Sequence, residues 1–401
     1  MLVLTQTTGF GLLTVLSVVY VTKFVGLSAT QVGLALSIAA GLGLATGIPA
    51  GYLTDRVRPR FLLAVFLALQ GVAVLGYLVV DSFLVFVVVN GAYQMADRAE
   101  SAVRGGFIAK AVPAEDQVRV RGYLRAVANI GFGLGALLAG VALTFDSRAA
   151  FRTTIVVAAV GYLLAALAVR WAPSVAAVEK EMRIPSRKAL RDWPYLSFLA
   201  LNAVLSFHYS VLEVGMPLWV TLHTDAPPWM VTVLFLINTS CVVAFQVVVG
   251  TKADTITTAK RATVVSGGVL AVCCVVFGVA GEVVAVAAVA LLLAAGLLHV
   301  LGEMLQTAAS WTLAFELAPH HAQGQYQGMF STSTSAGLMV GSSVVTIVAI
   351  NNGLVGWLIL GGLFLVTALL VPPAVRAAER GPAWVVRGRP AEAVPEASLQ
   401  G

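Results

Sequence analysis

The chain has 401 residues, of which 59% are hydrophobic and only 11% charged, and its mean hydropathy is +0.91. So few polar side chains cannot cover a water-soluble protein of this length, which excludes a soluble enzyme or binding domain and predicts that lipid is the main solvent. The net charge of +6 sits in short basic clusters between apolar runs, a pattern that encodes membrane topology and gives no reason to expect a nucleic-acid partner.

Each crossing of a hydrocarbon core needs roughly 20 apolar residues. Apolar runs predict helical spans at about 4–26, 31–52, 61–80, 83–108, 122–144, 152–171, 195–221, 228–250, 263–280, 283–314, 325–349 and 353–372. The first run opens at Met1-Leu2-Val3 with no basic leader and no small-residue cleavage site, so it is predicted to be a span and not a removed signal. Twelve spans occupy nearly the whole chain. The predicted organisation is an amino-terminal six-helix bundle over 1–171, a central loop over 172–194, a second six-helix bundle over 195–372 and a disordered tail over 373–401. The central loop carries Glu179, Lys180, Glu181, Arg183 and Arg187, and the tail is rich in Pro, Ala, Glu and Arg.

Alternating the sides of successive loops places all but six of the 25 Lys and Arg on one face. Lys23, Arg148 and Arg152 fall on the other, and Arg98, Arg104 and Arg125 lie within spans or at their ends. The positive-inside rule then puts both termini, the central loop and the tail in the cytoplasm. Trp171, Trp193, Trp219 and Trp229 flank spans as interface anchors. Cys241, Cys273 and Cys274 fall inside apolar runs without metal-ligand spacing and read as small buried hydrophobes.

The two halves echo each other. Gly51-Tyr-Leu-Thr-Asp55 after span two matches Gly250-Thr-Lys-Ala-Asp254 after span eight, an offset of 199, and Ala111-Val-Pro113 matches Leu317-Ala-Pro319, an offset of 206 that carries Asp97 onto Glu303. Two pseudo-symmetric bundles from one ancestral unit predict a functional site between them.

Polar residues concentrate on particular spans at steps of three and four, hence on one helix face. Span four carries Asn90, Tyr93, Asp97, Glu100 and Arg104; span seven Asn202, Ser206, Tyr209 and Glu213; span ten His299, Glu303, Gln306 and Ser310. Spans three, six, nine and twelve are almost wholly apolar, apart from Gln70 in span three, and are predicted to face lipid. A carboxylate inside a membrane is costly unless it faces protein or water and finds a partner, so Asp97, Glu303, Glu213 and Glu100 are the candidates for proton coupling. Asn90, Tyr93, Asn202, Tyr209, His299 and Gln306 are the candidate cavity residues, with Arg98 and Arg104 as charge partners. For Glu100 and Arg104, four residues apart, a packing salt bridge explains the pair equally well. His299 is one turn from Glu303 and suited to share its proton, although a lone helical histidine is more often a hydrogen-bonded packing residue.

Other patterns have plainer explanations. Gly131-Phe-Gly133-Leu-Gly135 lies inside span five with no strand before it, so close helix packing accounts for it better than a nucleotide. Asn238-Thr-Ser240 is a glycosylation sequon inside span eight, and Ser331 to Ser335 with Gly337 and Gly341 supply small residues to span eleven. His320 and His321 follow Pro319 in a loop without further ligands. No nucleophile motif and no metal-ligand pair on a helix is evident, so neither an enzyme, a metal site nor a cofactor is expected.

The loop Gly51-Tyr-Leu-Thr-Asp55-Arg56-Val-Arg58-Pro59-Arg60 resembles motif A of the major facilitator superfamily, with a glycine, an aspartate four residues on and then basic residues. Arg58 stands where that family usually has glycine, and Pro59 where it usually has a basic residue. The resemblance covers the whole chain and implies an all-α integral membrane protein of twelve transmembrane helices in the major facilitator fold. It implies a cavity lined by helices one, four, seven and ten. Gly51, Asp55, Arg56 and Arg60 would form a conformational latch, with Asp55 at the amino end of helix eleven. Gly131 to Gly140 resembles the antiporter motif, but Ala136 and Leu137 replace its usual Gly-Pro element. The expectation is a monomeric exporter in a bacterial cytoplasmic membrane, exchanging protons for a small amphipathic compound by alternating access, with cationic or neutral cargo. The alternatives are a proton symporter importing a nutrient and a non-transporting receptor of the same fold.

Overall fold

A computed structural model describes residues 2–145, 147–173, 189–227 and 229–380. The charged stretch 174–188 of the expected central loop and the tail from 381 onward lie outside the described residues. Among the described residues every element is helical.

In chain order the passes are α1 (Leu2–Tyr20), α2 (Ala29–Thr54), α3 (Pro59–Gly76), α4 (Phe83–Ala111), α5 (Gln117–Thr144) and α6 (Arg148–Ala168). Then come α7 (Trp193–His223), α8 (Met230–Thr251), α9 (Ile256–Ala280), α10 (Ala285–Glu316), α11 (Gln323–Val344) and α12 (Asn351–Arg380). Nine described stretches are apolar and long enough to cross a membrane. The last, Gln323–Arg380, has 58 residues, about 87 Å of helix at 1.5 Å per residue against a hydrocarbon core of about 30 Å. It therefore holds two passes, and the chain turns at Gly353, whose φ of +60° suits glycine. With α1 and the heavily charged α4 the passes number twelve, as expected.

Local chemistry sets the boundaries. Ser28 and Gln31 form a reciprocal cap on α2, and Thr255 and Thr258 do the same on α9. Ser147 caps α6, Asp192 caps α7, and Pro59 opens α3. Several helices outrun their apolar windows: α5 starts at Gln117 and not 122, and α9 at Ile256 and not 263. The tail expected to be disordered from 373 is helical through Arg380, because Val375 and Ala378 are buried and Lys260 lies 3.3 Å from Glu379. Hydropathy finds the lipid-matched middle of a helix and misses ends that continue into water.

Two large apolar clusters form, beside a small one of Val242, Val300 and Met304. One joins α1 to α6 around Leu16, Phe86, Phe151 and Tyr162; the other joins α7 to α12 around Phe198, Trp219, Phe277, Trp357 and Phe364. On the outside, Phe61 of α3, Leu164 of α6, Val272 of α9 and Leu369 of α12 are all more than half exposed. That surface suits lipid and not water.

The offset of 206 is written into hydrogen bonds. The Gln117 side-chain amide donates to the carbonyls of Ala109 and Val112, both at 3.1 Å; that of Gln323 donates to those of Phe315 and Ala318 at 3.2 and 3.0 Å. Each glutamine satisfies carbonyls at the frayed end of the preceding helix.

The halves meet where α11 lies on α2 and α4, and where α8 lies on α5. Glycines make the first contact possible: a Cβ on Gly51 would sit 2.8 Å from the Gly328 Cα, and one on Gly324 would sit 2.6 Å from the Gly51 carbonyl oxygen. Gly328→Leu is expected to wedge α2 from α11. Spin labels on the exposed Arg58 and Lys252, which lie in opposite halves, should then report a longer distance than in the parent, and an unchanged distance would contradict this account of the seam.

Candidate functional site

Between the two halves lies a cavity of about 280 Å³. Its charged lining consists of Arg98 and Arg104 from α4 and Arg121 and Arg125 from α5, with no Asp or Glu among the described lining residues. α7 contributes Asn202, Ser206 and Tyr209, α10 contributes Gln306 and Ser310, and α11 contributes Ser331, Thr334 and Ser335. The guanidiniums present the positive ends of their pairs, and the whole charge of Arg121, to this space.

The carboxylates stand behind these arginines. Asp97 lies 3.6 Å from Arg98, Glu100 lies 3.5 Å from Arg104, and Glu303 is paired with Arg125. The first pair joins sequence neighbours, which the long arginine side chain makes possible by reaching back along the helix. Arg121 is held by neutral groups, Gln327 Oε1 at 2.9 Å and the Phe315 ring 4.3 Å from its guanidinium carbon. Gln6 of α1 is interleaved with the second pair: its amide donates to Glu100 at 3.2 Å, and its oxygen accepts from Arg104 at 3.3 Å.

Of the expected cavity residues, Asn202, Tyr209 and Gln306 line the space. Asn90 and Tyr93 do not. Asn90 accepts from the Tyr77 hydroxyl at 3.1 Å and Tyr93 meets the Tyr162 hydroxyl at 2.8 Å, so the upper part of α4 turns toward α3 and α6 of its own half. His299 is buried behind the cavity, its Nε2 donating to the His208 carbonyl at 2.9 Å. Glu213 sits exposed in a wide turn of α7, Val211–Gly215.

Arg125 is the residue that most directly joins the halves. It donates to the Tyr209 hydroxyl of α7 at 2.7 Å and to Glu303 of α10, whose other oxygen accepts from Asn238 of α8 at 2.7 Å. Arg98 adds a bond to Ser335 at 3.2 Å. Arg121 and Gln327, themselves 206 positions apart, bond across the pseudo-symmetry axis. The expected charge partners were Arg98 and Arg104; Arg121, Arg125, Asn238 and Gln6 went unassigned. For Arg121 and Arg125 the signal is their i, i+4 spacing at the head of span five.

At the α2 end, Asp55 is 1% exposed and accepts backbone N–H groups of Gly324 at 3.0 Å and Gln325 at 2.9 Å, the first turn of α11. Lys110 of α4 completes its shell at 2.8 Å. An anion on a helix amino terminus with a buried ammonium beside it is well placed electrostatically. Of the other latch candidates, Gly51 lies in the glycine seam, but Arg56 stacks on Tyr52 and Arg60 donates to the Arg170 carbonyl. The counterpart Asp254 is exposed.

A family model described as the Major Facilitator Superfamily matches residues 1–342. No curated protein matches the chain. Among solved structures, the chain is similar to a bacterial homologue of the iron transporter ferroportin in an outward-facing state, with a TM-score of 0.73 and 14% identity over 94% of this chain and 98% of that one. It is similar to the proton:xylose symporter XylE bound to 6-bromo-6-deoxy-D-glucose (TM-score 0.70, 14% identity, 93% and 94% covered). It is also similar to the human organic anion transporter MFSD10 (TM-score 0.71, 14% identity, 92% and 97% covered). At these identities the likeness is one of fold. With twelve passes in two six-helix bundles and a family match that reaches into α11, the chain belongs to the Major Facilitator Superfamily of membrane transporters.

Proposed function

We propose that the chain is an alternating-access carrier of small organic anions, which move together with protons through the cavity between residues 1–171 and 195–372. The observation that carries this reading is the lining of four arginines without a carboxylate among the described residues. Guanidiniums in a site of low water content favour carboxylate and phosphate groups and repel cations. The cationic or neutral cargo expected from the sequence gives way to an anionic one, because the carboxylates of the spans are screened by the arginines in front of them.

The same arrangement sets the sign of coupling. Glu100 is 1% exposed, its Oε1 has no partner, and its Oε2 is shared by Arg104 and Gln6. The charged groups nearest it are Arg104 and Asp97 of its own helix, and α1 brings only the neutral Gln6. An anion that draws Arg104 into the cavity leaves Glu100 buried without its cation, and a proton then neutralises it. Anion and proton thereby assist each other, which is symport; exchange requires cargo and proton to compete for one carboxylate. Among the other coupling candidates, Asp97 and Glu213 have easier access to water. The clasp of Asp55 on α11 supports its role as a latch on the closed end.

In proteoliposomes under an inward proton gradient, labelled carboxylates or phosphate esters should accumulate and dissipate the gradient. Glu100→Gln should lose gradient-driven accumulation and retain anion counterflow, while Arg104→Ala should lose both. Collapse of the gradient by lipophilic cations, with no response to any anion, would sink this reading and return the drug:proton exchange reading. The tight contact of Gly131 and Gly135 of α5 with Thr7 and Thr8 of α1 is the feature that favours exchange.

A further inference from the structure

Behind the arginine-lined cavity, α7 and α10 bring three further groups together. One ligand atom from each of His208, His299 and Glu303 lies within 4.8 Å of the other two, and all three residues are at most 2% exposed. His299 and Glu303 are one turn apart on α10, a pair the sequence read as sharing a proton and not as metal ligands; His208, 91 positions before His299, reaches them only through the fold.

Hydrogen bonds fix both imidazoles in one tautomer. His299 Nε2 faces the backbone oxygen of His208 at 2.9 Å, and a carbonyl only accepts, so Nε2 carries a proton and, in the neutral ring, Nδ1 is a bare lone pair. His208 Nε2 faces Gln306 Oε1 at 3.3 Å, and the Gln306 amide is oriented by donating to Asn202 Oδ1 at 3.3 Å. The His208 Nδ1 is therefore bare as well. Neither Nδ1 has a hydrogen-bond partner. His299 Nδ1 looks across 3.7 Å at Glu303 Oε2, so two acceptors face each other in a buried place, an arrangement that calls for a cation between them. Imidazoles whose second nitrogen donates to a carbonyl oxygen are the outer-shell pattern that orients histidine ligands on metals.

We infer that His208, His299 and Glu303 form a binding site for one divalent first-row transition-metal ion of the Zn²⁺, Fe²⁺ or Co²⁺ class. Two neutral imidazoles and one carboxylate suit these ions, whereas Mg²⁺ and Ca²⁺ take oxygen ligands. Metal–ligand bonds of about 2.1 Å set ligand atoms roughly 3–4 Å apart, so small rotations of the rings complete the geometry. Asn238 and Arg125 each engage one oxygen of Glu303, which leaves a lone pair on Oε2 for the ion. A bound ion draws negative charge from Glu303 and slackens its tie to Arg125 across the two halves. The site rests on these contacts and not on the reading of the cavity as an anion path.

The test is a Co²⁺ titration of the full chain, free of any histidine tag, in detergent micelles after chelator treatment. One equivalent should bind with the visible ligand-field bands of nitrogen and oxygen coordination, be displaced by Zn²⁺ and be unaffected by excess Mg²⁺. His299→Gln, His208→Gln and Glu303→Gln should each weaken binding by about tenfold or more, and His223→Gln, at the far end of α7, should leave it unchanged. The proposal is overturned if the parent protein binds no Co²⁺, or if binding persists in ligand variants that elute as monodisperse folded protein. Since the readout involves no transport, this outcome and that of the anion-uptake assay are read separately.

Discussion

Asp55→Asn is expected to loosen the contact between α2 and α11 and to reduce transport to about a tenth or less. The side chain is buried, holds two backbone N–H groups of α11 and neutralises Lys110. The amide leaves an ammonium stranded beside a helix amino terminus that itself prefers an anion. Breaking a buried pair in this way costs about 3–5 kcal/mol, enough to move the balance of two states by roughly a hundredfold or more. Spin labels on the exposed Arg58 and Lys252, which lie in opposite halves, should report a longer distance in the variant. Adding Lys110→Met should bring the distance part of the way back, because the stranded charge is then gone. An unchanged distance distribution in Asp55→Asn would remove the clasp from the mechanism.

Arg125→Met should stall transport and lower the melting temperature by several degrees, whereas Arg125→Met with Glu303→Gln should melt near the parent and still not transport. Arg125 reaches Tyr209 and Glu303 at once, so it holds α5 of one half to α7 and α10 of the other. Without it Glu303 keeps only Asn238 and the face of His299, and an uncompensated buried charge again costs about 3–5 kcal/mol. Neutralising Glu303 removes that cost and leaves the bridge missing, which separates stability from function. Arg125→Lys is not a rescue, since one ammonium lacks the planar fork that meets hydroxyl and carboxylate together. Thermal aggregation followed by gel filtration, beside vesicle uptake, reads both quantities. If Arg125→Met melts like the parent, the ion pair is not the tie described.

Much of this architecture is legible from local pattern. Windows of apolar residues locate the twelve passes because lipid demands them, whereas the place of Asp55 at the amino end of α11 is implied only by the resemblance to motif A. The stripe on α7 marks Asn202 and Tyr209 correctly as cavity residues. It passes over His208, which neighbours Tyr209 in sequence and turns toward α10. The stripe on α4 is read as one face, yet its upper residues Asn90 and Tyr93 are satisfied within their own half by Tyr77 and Tyr162. Arg121 and Arg125 are hidden for a different reason. Counting basic residues by side assigns Arg121 to a loop, and only the start of α5 at Gln117 makes both arginines part of one inward helix face. Which carboxylate each arginine meets is a matter of contacts between distant segments, as with Arg125 and Glu303, and no periodicity along the chain encodes it.

The glycine seam between α2 and α11 bears on how this protein responds to temperature. Gly47, Gly51, Gly324 and Gly328 bring backbone against backbone, with Ile48 of α2 packed beside them on the core of the second half. Parting the two helices there exposes peptide groups and little hydrocarbon, and the opposing hydration terms of polar and apolar surface keep the heat-capacity difference between the two states small. A leucine-filled seam would loosen on cooling as the hydrophobic contribution fades. If charge at Asp55 and Arg125 sets the preference between open and closed, as proposed, that preference should drift little between a cold and a warm environment.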